Sequence, residues 1–200
     1  MTPIAIAGMQ LSLSGVHDNV AYMRSRLDLL MHIYPWVEMV VFSELAAFGP
    51  SPKRAQRLPG PVEEEFRDMA RRHGIWLLPG TIFEKLEDGT IYNTAIVVDP
   101  YGEIVGRYRK MFPFRPYEEG IAAGEEFLVF DVPGIARFGV SICYDMWLPE
   151  TSRTLAAMGA EVILHPTMTG TIDRSVELAI AQATAAQQQV FFFDVNGAGD

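Results

Sequence analysis

The chain contains a single cysteine, Cys143, so no disulfide can form within it. A lone thiol suits a reducing compartment, and the expected location is the cytoplasm. No apolar run reaches the roughly 20 residues of a membrane-spanning helix, and none is expected to enter a bilayer. The opening Met1-Thr2-Pro3-Ile4 lacks the basic start and long apolar stretch of a secretory signal. Basic residues are sparse: 16 Lys and Arg face 25 Asp and Glu, for a net charge of −9. They form no cluster, which argues against nucleic acid as a partner. The four histidines, His17, His32, His73 and His165, show no ligand spacing, and one cysteine cannot build a zinc cluster. No metal is therefore expected. Repeats, low-complexity tracts and linkers are also missing.

What is present is an apolar fraction of 49% over 200 residues, enough for the core of one domain spanning 1–200. Ile4, Ile6 and Gly8 read as a first strand. Apolar positions at steps of three and four from His17 to Tyr34 predict a helix, with Asp18 near its start as a cap. Val37 to Phe42 reads as a buried strand. Val62 to His73 reads as a second helix, acidic in front and basic behind as the helix dipole favours, with Gly74 as its stop. Strands follow over Ile75–Phe83, Tyr92–Val98 and Glu103–Tyr108, separated by Asp88-Gly89 and Asp99-Pro100-Tyr101-Gly102. Phe127–Val132 and Ile135–Ile142 flank a hairpin at Pro133-Gly134. Pro149–Met158 reads as a helix, Glu161–His165 as a strand, Asp173–Gln189 as a helix and Val190–Val195 as a strand. This order predicts a layered α/β domain with a mixed sheet. The sequence stops at Asn196-Gly197-Ala198-Gly199-Asp200, directly after a strand, and the expectation is a chain lacking further C-terminal strands.

Three segments end strands on reactive side chains: Val40-Val41-Phe42-Ser43-Glu44-Leu45, Arg107-Tyr108-Arg109-Lys110-Met111 and Gly139-Val140-Ser141-Ile142-Cys143-Tyr144-Asp145. Ligands of open α/β sheets gather beyond the carboxyl ends of strands, so the three could converge. A thiol attacks an acyl carbon as thiolate or with a base beside it, and Glu44 could serve as that base. Lys110 and the backbone N–H of Tyr144 could stabilise an oxyanion. Each residue alone has an ordinary reading: Cys143 as a small core residue, Glu44 as a loop cap, Lys110 as a solvated surface charge. The weight lies in their joint occurrence.

These segments resemble the nitrilase superfamily of carbon–nitrogen hydrolases. The resemblance rests on Phe42-Ser43-Glu44-Leu45, Tyr108-Arg109-Lys110-Met111 and Ser141-Ile142-Cys143-Tyr144-Asp145 with Pro149-Glu150. Gly60-Pro61, Tyr92-Asn93-Thr94-Ala95, Gly124, Gly159-Ala160 with Pro166, and Asn196-Gly197 agree with it. It implies a four-layer α-β-β-α sandwich and a Glu–Lys–Cys triad, with no metal or organic cofactor. By the resemblance, Glu44 is general base, Lys110 the oxyanion stabiliser and Cys143 the nucleophile that forms a thioester. A second glutamate is implied after the lysine, where Glu119 is favoured over Glu118. Asp145, two residues after the cysteine, resembles the amidase and carbamoyl-amide branches rather than true nitrilases. The implied partner is a small amide substrate, and self-association into a homo-oligomer is the default.

Tyr117, Tyr144 and Trp147 are candidate substrate contacts, with Met168 and Thr169 at the same end; packing into the core is the alternative for each aromatic. Arg115 reads more naturally as solvent-facing than as a carboxylate clamp. Other readings stay open on the same residues. These are nitrile hydrolysis or acyl transfer on the triad, a Cys–His enzyme using His165, and a catalytically silent binding subunit. Gly197-Ala198-Gly199 is weak as a dinucleotide loop.

Overall fold

Alternation along the strands decides the architecture of this computed structural model, which describes residues 2–198. In β2 (Met39–Phe42), Val40 and Phe42 join one apolar cluster while Met39 and Val41 join another. The same split separates Ile96 and Val98 from Ala95 and Val97 in β5 (Ile91–Val98). Successive strand side chains point to opposite faces, so these strands are covered on both sides.

The first cluster packs β2 and β5 against α1 (Val20–Ile33) and α2 (Pro61–His73), through Met23, Leu27, Phe66 and Met69. The second lies between two sheets. The larger sheet holds β1 (Ile6–Met9), β2, β3 (Trp76–Leu78), β4 (Thr81–Lys85), β5, β6 (Ile104–Arg109) and β7 (Ile121–Ala122). Its β1, β2 and β3 run parallel, while β4 and β6 flank β5 antiparallel. The smaller sheet has the order β11 (Phe191–Asn196), β10 (Val162–Thr167), β9 (Ala136–Val140), β8 (Leu128–Val132). A third cluster, with Leu155, Ile163 and Val190, sits under α3 (Pro149–Ala157), and α4 (Thr171–Gln188) packs beside it. The result is the α-β-β-α sandwich that the family resemblance implies.

Three details differ from the expected elements. The strand expected over 75–83 is two strands broken at Pro79-Gly80. Gly80 has φ +80, and a Cβ there would lie 1.9 Å from the Ser43 carbonyl oxygen. The first helix starts at Val20 because the residues before it form a turn. Asp18 accepts from the Val20 N–H, and Asn19 donates to the Ser14 and Ala46 carbonyls. The short β7 and a 3-10 turn over Cys143–Trp147 carry no periodicity to read. Gly74 does end α2 in the left-handed conformation, at φ +63. Gly199 and Asp200 of the terminal glycine turn lie outside the described residues.

The two sheets are joined at one end. The Glu44 N–H, just past β2, donates to the Thr167 carbonyl at the end of β10 at 3.3 Å. The loops after β2, β6, β9 and β10 therefore meet at this end.

Candidate active site

Lys110 is the centre of the arrangement. It follows β6, and its backbone is tied on both sides: its N–H donates to the Asn93 carbonyl and its carbonyl accepts from Gly124, each at 2.8 Å. Gly124 cannot carry a side chain there, since a Cβ would lie 2.1 Å from the Arg109 carbonyl oxygen. The ammonium is 1% exposed and donates to Glu44 Oε1 at 2.8 Å and Glu118 Oε2 at 2.7 Å. Asn93, fully buried in β5, uses its amide nitrogen to reach both carboxylates, Glu44 Oε1 at 2.8 Å and Glu118 Oε1 at 2.9 Å. The Phe114 N–H also donates to Glu118, at 2.6 Å. Burial works against the lysine charge, but the charges of Glu44 and Glu118 outweigh it and hold Lys110 above the ordinary lysine range. A buried charge persists only when paired in this way.

Glu44 sits where β2 turns away. Leu45 takes φ +52, and its N–H is held by Thr81 Oγ1 at 2.9 Å. Both recorded bonds to the Glu44 carboxylate fall on Oε1. Among the described residues its Oε2 accepts none.

Cys143 follows β9 and opens the 3-10 turn at φ +44. Asp145, fully buried, holds that turn against the Lys110 loop. It accepts from the Ile142 N–H and Tyr108 Oη through Oδ2, at 2.9 and 2.7 Å, and from the Phe112 N–H through Oδ1 at 2.9 Å. Burial lifts Asp145 to about 6, with these donors and Lys110 opposing the lift. Burial also raises the Cys143 thiol well above its usual range; the Glu44 charge adds to this and Lys110 opposes it. Cys143 Sγ lies 3.7 Å from Thr169 Oγ1.

A cavity of about 370 Å³ opens at this junction, lined by Ser43, Glu44, Leu45, Met168 and Thr169 among others. Ser43 Oγ is buried without a hydrogen-bond partner among the described residues. No cluster of three His, Cys, Asp or Glu side chains suited to a metal occurs among the described residues.

The structure brings Glu44 and Lys110, from the larger sheet, and Cys143, from the smaller one, to the end where the two sheets meet. Of the two candidates for the second glutamate, Glu118 is buried against Lys110, whereas Glu119, the one the sequence favours, is exposed. The tight turn from Pro116 aims only the first of the two inward, with the Glu118 N–H bonded to the Phe114 carbonyl. Tyr117 is 82% exposed and stacks on Phe114, which meets Tyr144, which stacks on Trp147. These aromatics form a row beside the Cys143 turn rather than lining the cavity. Arg115 donates to the Ile121 carbonyl. His165 faces the α3 and α4 side of its sheet against Phe192, its Nδ1 bonded to Ser141 Oγ at 2.7 Å. Burial lowers it to about 4. Cys143 packs in the layer between the sheets, so a Cys–His pairing is not formed.

Asn93 had a signal in the sequence, an amide in mid-strand that must find partners when buried. Asp145 stood out only as a marker of branch. Glu177, bonded to Thr169, had no signal beyond its helical spacing from Arg174.

The carbon-nitrogen hydrolase family matches residues 6–200. A formamidase of Bacillus thuringiensis (strain Al Hakam) is 30% identical over 172 residues, covering 83% of this chain and 52% of its own length. A formamidase of Bacillus cereus (strain B4264) is 29% identical over the same shares. The chain thus spans about half the length of the curated relatives it matches. Among solved structures, a Saccharomyces cerevisiae member of branch 10 of the nitrilase superfamily superposes with a TM-score of 0.88 at 26% identity, covering 98% of this chain and 76% of that one. An amidase from Nesterenkonia sp. gives 0.84 at 23% identity, covering 98% and 77%. A match over nearly its whole length places this chain in the carbon-nitrogen hydrolase family.

Proposed function

We propose that this chain hydrolyses the carbon–nitrogen bond of small linear amides or N-carbamoyl amides through a cysteine thioester. The observation that carries the reading is a buried ammonium bridging two carboxylates beside a cysteine held at φ +44. Cys143 attacks the carbonyl carbon while Glu44, through its unengaged Oε2, takes the thiol proton. Lys110 has three N–H donors and spends two on Glu44 and Glu118. The third serves the oxyanion, with the Tyr144 N–H as second donor. Glu44 then gives its proton to the leaving amine, and water, deprotonated by Glu44, releases the acid. Glu118 and Asn93 orient Lys110 and Glu44 throughout. Formamidases among the relatives support an amide over a nitrile.

In this reading residues 1–200 act as one domain, because both sheets share the apolar layer in which Cys143 packs. The protein works in the cytoplasm, where a free thiol survives. It self-associates, in keeping with exposed Ile172, Val176 and Leu178 on α4; sedimentation as a monomer at assay concentration would oppose this. No helix among the described residues is long and apolar enough to cross a membrane.

The test is intact mass after incubation with a panel of small amides and N-carbamoyl compounds. An acyl adduct on wild type and none on C143A is expected. Amide turnover that survives in C143A would refute the reading.

A further inference from the structure

Glu177 is a carboxylate 2% exposed, and the proposed reaction gives it no task. Its Oε1 accepts from Thr169 Oγ1 at 2.8 Å and from Trp147 Nε1 at 3.3 Å, and its Oε2 faces Arg174 at 3.5 Å. Arg174 also pairs with Asp194 at 2.7 Å. Thr169 is held from its backbone as well. Its N–H donates to Asn196 Oδ1 at 2.8 Å, and its carbonyl accepts from Asn196 Nδ2 at 3.1 Å. A threonine hydroxyl has one proton, and an ionised carboxylate can only accept. Thr169 therefore spends its proton on Glu177 and presents lone pairs to Cys143 Sγ, 3.7 Å away.

We propose that Glu177 is a positioning residue for Cys143: by accepting the Thr169 O–H hydrogen bond it leaves Thr169 as an acceptor toward the sulfur, which aims and holds the resting nucleophile as S–H. The inference rests on Cys143 being the nucleophile. The charged groups around the sulfur are Glu44 and Lys110, with Thr169 reaching it from the α4 side; Arg174 and Asp194 surround Glu177. The hold is released when the sulfur attacks. The S–H bond breaks, its proton passes to Glu44, the S–C bond forms and the carbonyl electron pair moves to oxygen. Until then the buried thiol is shielded from ionising, and so from adventitious alkylation.

The consequence is a directional pH effect. A glutamine at 177 carries no charge, so its amide oxygen holds the Thr169 hydroxyl far more weakly than the carboxylate does and leaves that O–H free to turn to the sulfur and stabilise a thiolate. The assay is the rate of Cys143 alkylation by iodoacetamide against pH, followed by intact mass, which needs no substrate. E177Q is expected to move the midpoint down by about one pH unit, a tenfold gain in thiolate at a given pH. T169V, which removes the hydroxyl, falls between wild type and E177Q, and T169S matches wild type. The double variant E177Q/T169V matches T169V, because Glu177 acts only through the hydroxyl. An unchanged midpoint in E177Q, or a double variant that keeps the full E177Q shift, overturns the proposal. Should E177Q not fold, T169V against T169S decides: equal midpoints overturn it. Absence of an acyl adduct in the amide test leaves this readout intact, so the two ideas fail separately.

Discussion

Replacing Glu118 with glutamine tests the geometry around Lys110 most directly. Glu118 Oε2 accepts hydrogen bonds from Lys110 and the Phe114 N–H, while Oε1 accepts one from Asn93. Glutamine can keep its oxygen on Lys110 and Phe114, but its NH2 group then meets the NH2 group of Asn93. Asn93 Oδ1 is buried without a partner among the described residues, so rotating the Asn93 amide relieves the clash. That rotation withdraws the Asn93 N–H from Glu44 Oε1. A hydrogen bond to a charged group is worth about 1.5–3 kcal/mol. With that bond gone, Glu44 and Lys110 are no longer held in the orientation the proposed reaction needs, and kcat is expected to fall roughly 10- to 100-fold at about 1.4 kcal/mol per decade. Glu119 is exposed, and E119Q should stay within about 0.5 kcal/mol, under roughly threefold. The assay is steady-state turnover of the best amide from the adduct panel, with circular dichroism to confirm folding. A greater loss in E119Q than in E118Q would refute the reasoning.

Burial depresses His165 from 6.5 to about 4, so the unfolded chain binds more protons between those values and wild-type stability falls as pH drops through that window. Urea midpoints of wild type and H165N should show wild type losing up to about 3 kcal/mol relative to the variant from pH 6.5 to 4; a constant difference would contradict this. Arg109 grips buried Glu84 with two bonds of 2.9 Å and lies 4.3 Å over the Tyr92 ring. R109K should cost about 1–2 kcal/mol in urea denaturation, since lysine loses the fork and most of the stacking. A Cβ at Gly124 would press on the Arg109 carbonyl, and the Gly124 N–H holds the Lys110 carbonyl. G124A should therefore lose about 1–3 kcal/mol of stability and at least tenfold in turnover, and full activity would show that the loop can shift freely.

The fold was legible where one physical signal dominated. The steps of three and four across Val20, Met23, Leu27 and Met31 mark the face of α1 that is buried. Gly74 and the Asp99–Gly102 turn mark real reversals, with φ +63 and +80 at their glycines. Pro79-Gly80 looks like continuous strand in the sequence because its break depends on the Ser43 carbonyl, which approaches from a distant segment. The same limit governs the site. Glu44, Lys110 and Cys143 each follow a strand, and the packing of the two sheets carries them to one end. Glu118 and Glu119 are adjacent and alike in sequence, and only the turn from Phe114 to Glu118 distinguishes them. Glu177 lies in α4, where nothing local says that Thr169 will approach it.

In the proposed reaction, the charges where the two sheets meet favour Cys143 starting as a thiol. Glu44 and Glu118 carry two negative charges and Lys110 one positive, all buried, leaving one net negative charge. A resting thiolate would make it two, in a place where burial and Glu44 already push the thiol upward. Charge isolated from water is costly, so the second negative charge is avoided until it can be moved rather than added. In the proposed reaction, attack transfers the thiol proton to Glu44 as the oxyanion forms. One negative charge leaves Glu44 and one appears on oxygen, and the total does not change. Lys110 stands beside the first position and supplies its free N–H to the second, so a single fixed cation serves both ends of the transfer. A rigid ammonium is needed for this, which is why Lys110 is anchored by Asn93 and Gly124 through its backbone and by two carboxylates through its nitrogen.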